Sequence, residues 1–299
     1  MVVGVTGGSG FIGQHVVKEL ISKGFEVHSM GISKKNDIYL DLADFSSILK
    51  GLEKCKPEYL VHLASPSVQE LYRSNRNLSL IKENEVISAE INGSHTLFKT
   101  AKNLGVKKII YISSAAVYGE NNNNIPFNEQ MVARPHTLYG SIKLCVEKIG
   151  EAIFRDFISL RIFAVYGKSD YSNRLVPTVL NAKANDHLEL TPCQQITDFI
   201  YVKDVANCIS TILKSDLSKG TFNLGSGFPI KLKDAVKSII EYSCKSITLH
   251  YGAKKYSGSE VMFSYADMTL LNNLIVWSPN YSFTEGLNDF CNEVSIDTR

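Results

Sequence analysis

A doubly wound parallel α/β sheet with a smaller C-terminal lobe is the fold this sequence predicts, and three observations carry the prediction. A glycine-rich run, Thr6-Gly7-Gly8-Ser9-Gly10-Phe11-Ile12-Gly13, directly follows the apolar stretch Val2–Val5. Apolar, partly β-branched runs at Phe25–Met30, Tyr59–Leu63, Lys108–Ser113 and Ile158–Phe163 alternate with helical patterns near Asp44–Leu52, Glu83–Leu104 and Thr137–Phe154. After Tyr166-Gly167 the alternation gives way to polar turns, Pro177, Pro192 and shorter elements. Strands alternating with helices at this spacing form parallel sheets with helices on both faces, and continuously apolar strands fit a sheet covered on both sides.

The elements follow in order. Val2–Val5 feeds the glycine turn, and His15-Val16-Val17-Lys18-Glu19-Leu20-Ile21 continues as an amphipathic helix that Gly24 caps. Such a strand, turn and helix presents backbone N–H groups to a pyrophosphate, with the positive end of the helix dipole facing the anion. The glycines fit G-x-x-G-x-x-G from Gly7 and G-x-G-x-x-G from Gly8, so Gly7, Gly10 and Gly13, with Phe11 and Ile12 between them, are the dinucleotide-binding candidates. The second strand runs into Gly31, and the linker Gly31–Ile38 before Tyr39-Leu40-Asp41 is too short for a full crossover helix. An NAD site usually places Asp or Glu at the end of that strand. Gly31 stands there instead, and Ser33 with Lys34 would accept a 2′-phosphate, which favours NADP over NAD. Asn121–Asn124 reads as a solvated loop.

Composition bounds the function. The chain has 299 residues, 44% hydrophobic and 21% charged, as in an ordinary globular protein. A net charge of +2 gives no electrostatic case for nucleic acid or a membrane surface as partner. Cys55, Cys145, Cys193, Cys208, Cys244 and Cys291 are scattered without a C-x-x-C pair, which predicts buried thiols and neither a metal site nor a disulfide framework. No apolar leader and no membrane span is legible, so a cytoplasmic address is expected.

Tyr139 and Lys143, four residues apart in Tyr-Gly-Ser-Ile-Lys, share one helix face. An ammonium beside a phenol favours the phenolate and tunes it for proton exchange. The pattern alone is weak, since a second copy occurs at Tyr251 and Lys255 in a loop-like stretch and reads as chance. The company of the first copy distinguishes it. Lys108–Ile112 leads into Ser113-Ser114-Ala115-Ala116-Val117-Tyr118-Gly119, placing Ser114 at the carboxyl end of a central strand, where open α/β sheets bind ligands.

With these motifs in order, the chain resembles an extended short-chain dehydrogenase/reductase of the NAD-dependent epimerase/dehydratase family, enzymes of nucleotide sugars. The resemblance spans nearly the whole chain: Thr6–Gly13, Asp41-Leu42, His62–Ser65, Ile91–Ser94, Ser113–Gly119, Tyr139–Lys143, Arg161–Gly167, Asp198–Ala206 and Phe222–Gly227. It implies a Rossmann-like domain over residues 1–166, with 191–224 returning to it, and a substrate lobe over 167–190 and 225–299. By the same resemblance Tyr139 is the acid/base, Ser114 polarises the substrate oxygen, and Lys143 holds the ribose and tunes Tyr139. Asp41 and Leu42 would flank the adenine. Leu63, Ala64 and Ser65 would line the pyrophosphate and inner ribose, and Phe163 to Val165 would border the nicotinamide. Asn173 and Arg174 are the substrate-contact candidates, while His62 reads as a packed core histidine. A homodimer through the helices after Glu83 and Thr137 is also implied.

The departures narrow the expectation. Dehydratases of the family carry an acid just after the active-site Ser/Thr, where this chain has Ala115 and Ala116. Glu90 and Ala164 stand where the family often has asparagine, and Thr197 where it commonly has arginine. The resulting expectation is NAD(P)-dependent reduction of the C4 keto group of a nucleotide-linked 4-keto-6-deoxy sugar, feeding polysaccharide synthesis. A 4-epimerase with tightly bound NAD is the alternative, and a non-catalytic dinucleotide sensor the remote one.

Overall fold

The computed structural model describes residues 1–65, 80–121, 123–170, 174–243, 245–258 and 260–297. It opens with β1 (Val2–Thr6), α1 (Phe11–Ser22), β2 (Glu26–Gly31), β3 (Ile38–Tyr39), α2 (Phe45–Cys55) and β4 (Tyr59–His62). Next come α3 (Leu80–Ser88), α4 (Ser94–Asn103), β5 (Lys108–Ser114), α5 (Leu138–Ile153) and β6 (Phe157–Ile162). After these follow β7 (Ala164–Tyr166), α6 (Leu175–Asn181), β8 (His187–Leu190), β9 (Ile196–Tyr201), α7 (Val202–Lys214) and β10 (Gly220–Leu224). The chain closes with β11 (Pro229–Lys231), α8 (Leu232–Ser243), β12 (Thr248–Tyr251), β13 (Phe263–Ser264), α9 (Thr269–Leu274) and α10 (Phe283–Asp297).

The main sheet has seven strands in the order β10-β6-β5-β4-β1-β2-β3. From β3 to β6 each neighbouring pair is parallel. The order turns around between β1 and β4, the switch point of a Rossmann-like sheet, so ligands are expected beyond the carboxyl ends of these two strands. Val3, Val5, Leu60, Val61, Ile109, Ile110, Ile158 and Leu160 are fully buried, as strands covered on both faces must be. β2 and β3 lie side by side with no helix between them, which matches the short Gly31–Ile38 linker.

One expected element is divided. Helical periodicity runs unbroken over Glu83–Leu104, yet the chain widens into a π-helical turn at Ala89–Gly93 between α3 and α4. A Cβ on Gly93 would sit 2.4 Å from the Leu42 carbonyl oxygen, so the bare α-carbon lets that backbone press against the helix. Glu90, inside the turn, is buried at 2% exposure. Widened turns of this kind recur at functional sites.

The chain divides into two compact units. The first holds Met1–Gly119, Val132–Ile162 and Ala206–Phe222, and the second Glu120–Met131, Phe163–Val205 and Asn223–Arg299. These bounds differ from a division at 166 with residues 191–224 returning. The reason is strand pairing: β7 lies parallel to β9 with Ala164 opposite Phe199, so both strands go with the second unit. Phe127 joins them by bridging to Ala266. In that unit β9 also pairs with β11 and β13, and β8 pairs with β12.

Asp198 on β9 ties the second unit together. Its buried carboxylate accepts the N–H groups of Ser226 at 2.7 Å, Gly227 at 3.0 Å and Ala266 at 3.2 Å, and the Ser226 hydroxyl at 2.5 Å. No helix among the described residues is long and apolar enough to cross a membrane, and no three metal-ligating side chains among them are grouped to hold an ion. Burial pushes the Cys55 thiol up to about 12, making it a core residue and not a reactive one. Asp198→Ala should orphan three N–H groups and cost about 3 kcal/mol or more, with Asp198→Asn costing less. Urea unfolding checks this, and a loss below about 0.5 kcal/mol would remove the clamp from the account.

Candidate active site

The glycine turn at the end of β1 is built for close approach. Gly7 adopts φ +69°, its N–H bonds the Met30 carbonyl at 2.7 Å, and its own carbonyl takes the Gly10 N–H at 2.9 Å. A Cβ on Gly13 would lie 2.1 Å from the Gly7 oxygen, so only glycine lets α1 start this tightly against the strand. Gly10 caps α1 without a side-chain hydrogen bond. No capping side chain covers the first turn, which holds buried Phe11 and half-buried Ile12, and its positive dipole end suits an anion.

The structure gathers other candidates around this turn. Leu63 donates its N–H to the Thr6 carbonyl and Ala64 to Thr6 Oγ1, both at 3.2 Å, which brings the segment after β4 alongside the glycines. Ser65 follows, its hydroxyl donating to Glu90. Asp41 accepts the Ala43 N–H at 2.9 Å, and buried Leu42 borders a groove of about 550 Å³ lined also by Ala43, Ser88, Asn92 and Thr96.

Ser33 and Lys34 are exposed in the loop after β2. The sequence reading missed what anchors that loop. Asn36 Oδ1 accepts the Ser9 N–H at 3.0 Å, and its Nδ2 donates to Ser9 Oγ at 3.0 Å and the Ser33 carbonyl at 3.1 Å. Asp37 folds back on β2, accepting the hydroxyl of Ser29 at 2.7 Å and its N–H at 2.8 Å, bonds that hold its carboxyl below the usual range. A carboxylate thus returns to the second strand, although Gly31 itself supplies none. A tight loop rich in Ser, Asn and Asp was the available signal.

Ser114, Tyr139 and Lys143 all belong to the first unit. Ser114 closes β5 and caps a short 3-10 turn, Ala115–Val117, accepting the Ala116 N–H at 3.1 Å. Thr137 caps α5 by accepting the Gly140 N–H at 3.1 Å, so Tyr139 and Lys143 fall in its first two turns. A Cβ on Gly140 would lie 2.4 Å from the Ala116 oxygen. The glycine beside Tyr139 is therefore what lets α5 close on the Ser114 turn. Tyr139 is half-buried.

Lys143 is buried, its Nζ 3.5 Å from the Ile112 carbonyl, 5.1 Å from the Tyr111 ring centre and 5.7 Å from that of Tyr139. Burial by itself favours the neutral amine. The charge of Glu90, the Tyr111 hydroxyl and the charge of Glu147 outweigh it, so the ammonium stands above its ordinary value.

Beneath the trio lies an ion pair. Glu147 accepts Nε of Arg161 at 3.1 Å, its NH2 at 2.8 Å and the Ser113 hydroxyl at 2.5 Å. Arg161 in turn stacks 4.8 Å over the Tyr118 ring. His62 is a core residue, as expected: the Thr6 hydroxyl lies 2.7 Å from Nδ1 and that of Ser94 3.0 Å from Nε2. Burial, with Lys143 adding to it, pushes His62 down to about 3.

The remaining candidates belong to the second unit. Phe163 and Val165 are buried, Val165 opposite Ile200. Arg174 caps α6 and pairs with Asp170 at 3.1 Å. Asn173 lies outside the described residues.

The family model of the NAD dependent epimerase/dehydratase family matches residues 3–225. The chain belongs to that family. Among its relatives is a UDP-glucose 4-epimerase of Halalkalibacterium halodurans, 29% identical over 95% of this chain and 92% of the relative. A GDP-6-deoxy-D-talose 4-dehydrogenase of Aggregatibacter actinomycetemcomitans is 26% identical over 94% of this chain and 92% of its own. The solved UDP-glucose 4-epimerase of Thermotoga maritima, with UDP-glucose, superposes with a TM-score of 0.88 at 25% identity, covering 100% of both chains. In this member of the family, Glu147→Ala should leave Arg161 buried without its counter-charge and cost about 3–5 kcal/mol. A urea midpoint close to that of the unaltered protein would contradict the role given to this pair.

Proposed function

We propose that the protein reduces the C4 keto group of a nucleotide-linked 4-keto-6-deoxy sugar. The observation that carries the reading is the convergence of Ser114, Tyr139 and Lys143 at the carboxyl end of β5, on the sheet whose β1 turn fits a dinucleotide. The turn fits because its glycines leave no Cβ to exclude a pyrophosphate and α1 begins without a side-chain cap. Gly7, Gly10, Phe11, Ile12 and Gly13 would hold the pyrophosphate, Ala64 and Ser65 its flank, and Leu42 with its groove the adenine. A bound nicotinamide dinucleotide supplies hydride to the substrate carbon.

The chain's own residues supply the proton and the charge stabilisation. Tyr139 would deliver its phenolic proton to the substrate oxygen as negative charge develops there. The Ser114 oxygen already accepts the Ala116 N–H, leaving its O–H to donate to the same atom. The Lys143 ammonium would stabilise the phenolate left behind. No acid follows Ser114, since Ala115 and Ala116 occupy those positions, and water elimination therefore lacks its proton donor. The second unit has a cavity of about 730 Å³ lined by Leu175, Thr178, Thr191 and Gln195, near Arg174 on the same helix.

The Aggregatibacter dehydrogenase, whose name describes oxidation at position 4 of a nucleotide-linked 6-deoxyhexose, supports the redox reading. The epimerase relatives favour the second one, a nucleotide-sugar 4-epimerase with the same trio. Net consumption of coenzyme separates the two. Incubated with NADPH and a panel of nucleotide 4-keto-6-deoxyhexoses, the reductase oxidises one coenzyme per product. An epimerase interconverts C4 isomers with none consumed, and that result would replace the proposal.

Two substitutions sharpen it. Tyr139→Phe should lower turnover at least about a hundredfold with the fold intact, as loss of a general acid does. For coenzyme choice the reading is NADP, with exposed Lys34 and Ser33 meeting the 2′-phosphate while Ser29 occupies Asp37. Lys34→Ala should raise KM for NADPH about tenfold and leave KM for NADH unchanged. A lower KM for NADH than for NADPH in the unaltered protein would reverse the assignment to NAD.

A further inference from the structure

We propose that Asn36 is a positioning residue of the coenzyme site. Its amide staples the loop between β2 and β3 to the glycine turn after β1, holding the groups that read the 2′ end of the adenosine in register with that turn. The inference rests on the dinucleotide reading of the glycine turn and adds a coenzyme-selecting residue to it.

Space is the first observation. β2 ends at Gly31, which is buried, and a Cβ there would lie 2.8 Å from Asn36 Nδ2 and 3.4 Å from its Cγ. The Asn36 amide therefore stands where a side chain on residue 31 would begin. A dinucleotide fold commonly reads the ribose from that end of its second strand. In this chain a residue five places further on fills the position, and a side chain at 31 and the amide at 36 exclude one another.

The amide's bonds are the second observation. Oδ1 accepts the Ser9 N–H at 3.0 Å, and Nδ2 donates to Ser9 Oγ at 3.0 Å and to the Ser33 carbonyl at 3.1 Å. A backbone N–H facing the oxygen and a carbonyl facing the nitrogen fix the orientation, since the reversed amide would lose both bonds. Ser9 lies inside the glycine turn, between Gly8 and Gly10. One side chain thus grips the turn on one side and Ser33, the neighbour of Lys34, on the other.

The rest of the loop gives that grip little slack. The Asn36 N–H also bonds the Ser33 carbonyl, at 3.0 Å, closing a turn whose central residues are Lys34 and Lys35. The Lys35 N–H reaches Ser33 Oγ at 3.3 Å. Asp37 anchors the far end on β2, accepting the N–H and hydroxyl of Ser29 and returning its own N–H to that hydroxyl oxygen at 3.0 Å. Lys34 and Ser33 are exposed side chains on a held backbone. A loop ordered before its ligand arrives binds more tightly than one ordered by it.

Discrimination between coenzymes, more than overall affinity, depends on such a staple. NADPH and NADH share the pyrophosphate that the turn would meet, and they differ at the 2′ position that the loop would meet. Without the Asn36 amide, Lys34 and Ser33 remain, but their distance from the turn is no longer set. A merely structural Asn36 would weaken both coenzymes alike and leave their ratio unchanged.

The test titrates the whole protein with NADPH and with NADH, followed by coenzyme fluorescence in the absence of sugar. In Asn36→Ala the ratio of the two dissociation constants should move toward one by about five- to tenfold. Gly31→Ala keeps every polar partner, removes only the room for the amide, and should give the same change. The double variant should differ from Asn36→Ala by less than about twofold, because both substitutions break one contact. With no coenzyme present, the Ser9 amide proton should exchange at least about tenfold faster in either single variant. A folded Asn36→Ala that keeps the ratio of the unaltered protein would overturn the inference, as would additive effects in the double variant. An unaltered protein that binds neither coenzyme, or both equally, would overturn it too. An unaltered protein that favours NADH, with the preference lost in Asn36→Ala, keeps Asn36 in its role and rejects the NADP assignment alone. Because no sugar enters the titration, the predicted changes in a protein that reduces no nucleotide sugar would support Asn36 and reject only the reductase reading.

Discussion

A buried ammonium is the constraint around which the first unit is arranged. Lys143 sits beneath the Tyr139 ring with the Ile112 carbonyl and the Tyr111 face beside it. Desolvating a lysine this fully would neutralise it unless the surroundings returned negative charge. Glu90 and Glu147 return it from two different elements, one a distorted helix and one the same helix a turn later. Glu147 also needs Arg161, so a chain of ionic contacts runs from β6 through α5 to the site.

Close backbone approach is the second requirement, and glycine provides it at two places of different kinds. Gly13 lets α1 begin against the Gly7 carbonyl, forming the tight turn after β1. Gly140 lets α5 rest on the Ala116 carbonyl, bringing the phenol-bearing helix to the serine-bearing turn. The β1/β4 switch point then places the glycine turn and the Leu63–Ser65 segment side by side through Thr6, whose hydroxyl serves both His62 and Ala64.

Much of this was legible in the sequence. Local patterns were decisive where one short segment sets its own geometry: the glycine turn, the helix bearing Tyr139 and Lys143, the strand ending at Ser114, and His62 as a packed residue. Contacts made by folding back were not legible. Asp37 reaches Ser29 across a loop, so a search for acid at Gly31 alone could not find it. The π-helical turn left the 3.6-residue period intact on either side, and only the odd placement of a glutamate hinted at it. The unit bounds depended on β7 pairing with β9, a long-range choice that two short apolar strands do not announce.

The coupling of Lys143 to Tyr139 is best measured by ultraviolet difference titration of tyrosinate, comparing the protein with Tyr139→Phe, first with Lys143 present and then in Lys143→Met. The account predicts one tyrosine, absent from Tyr139→Phe, that ionises well below the ordinary value of about 10 and moves back toward it when the ammonium is removed. A Tyr139 that titrates at the ordinary value in both backgrounds would contradict it.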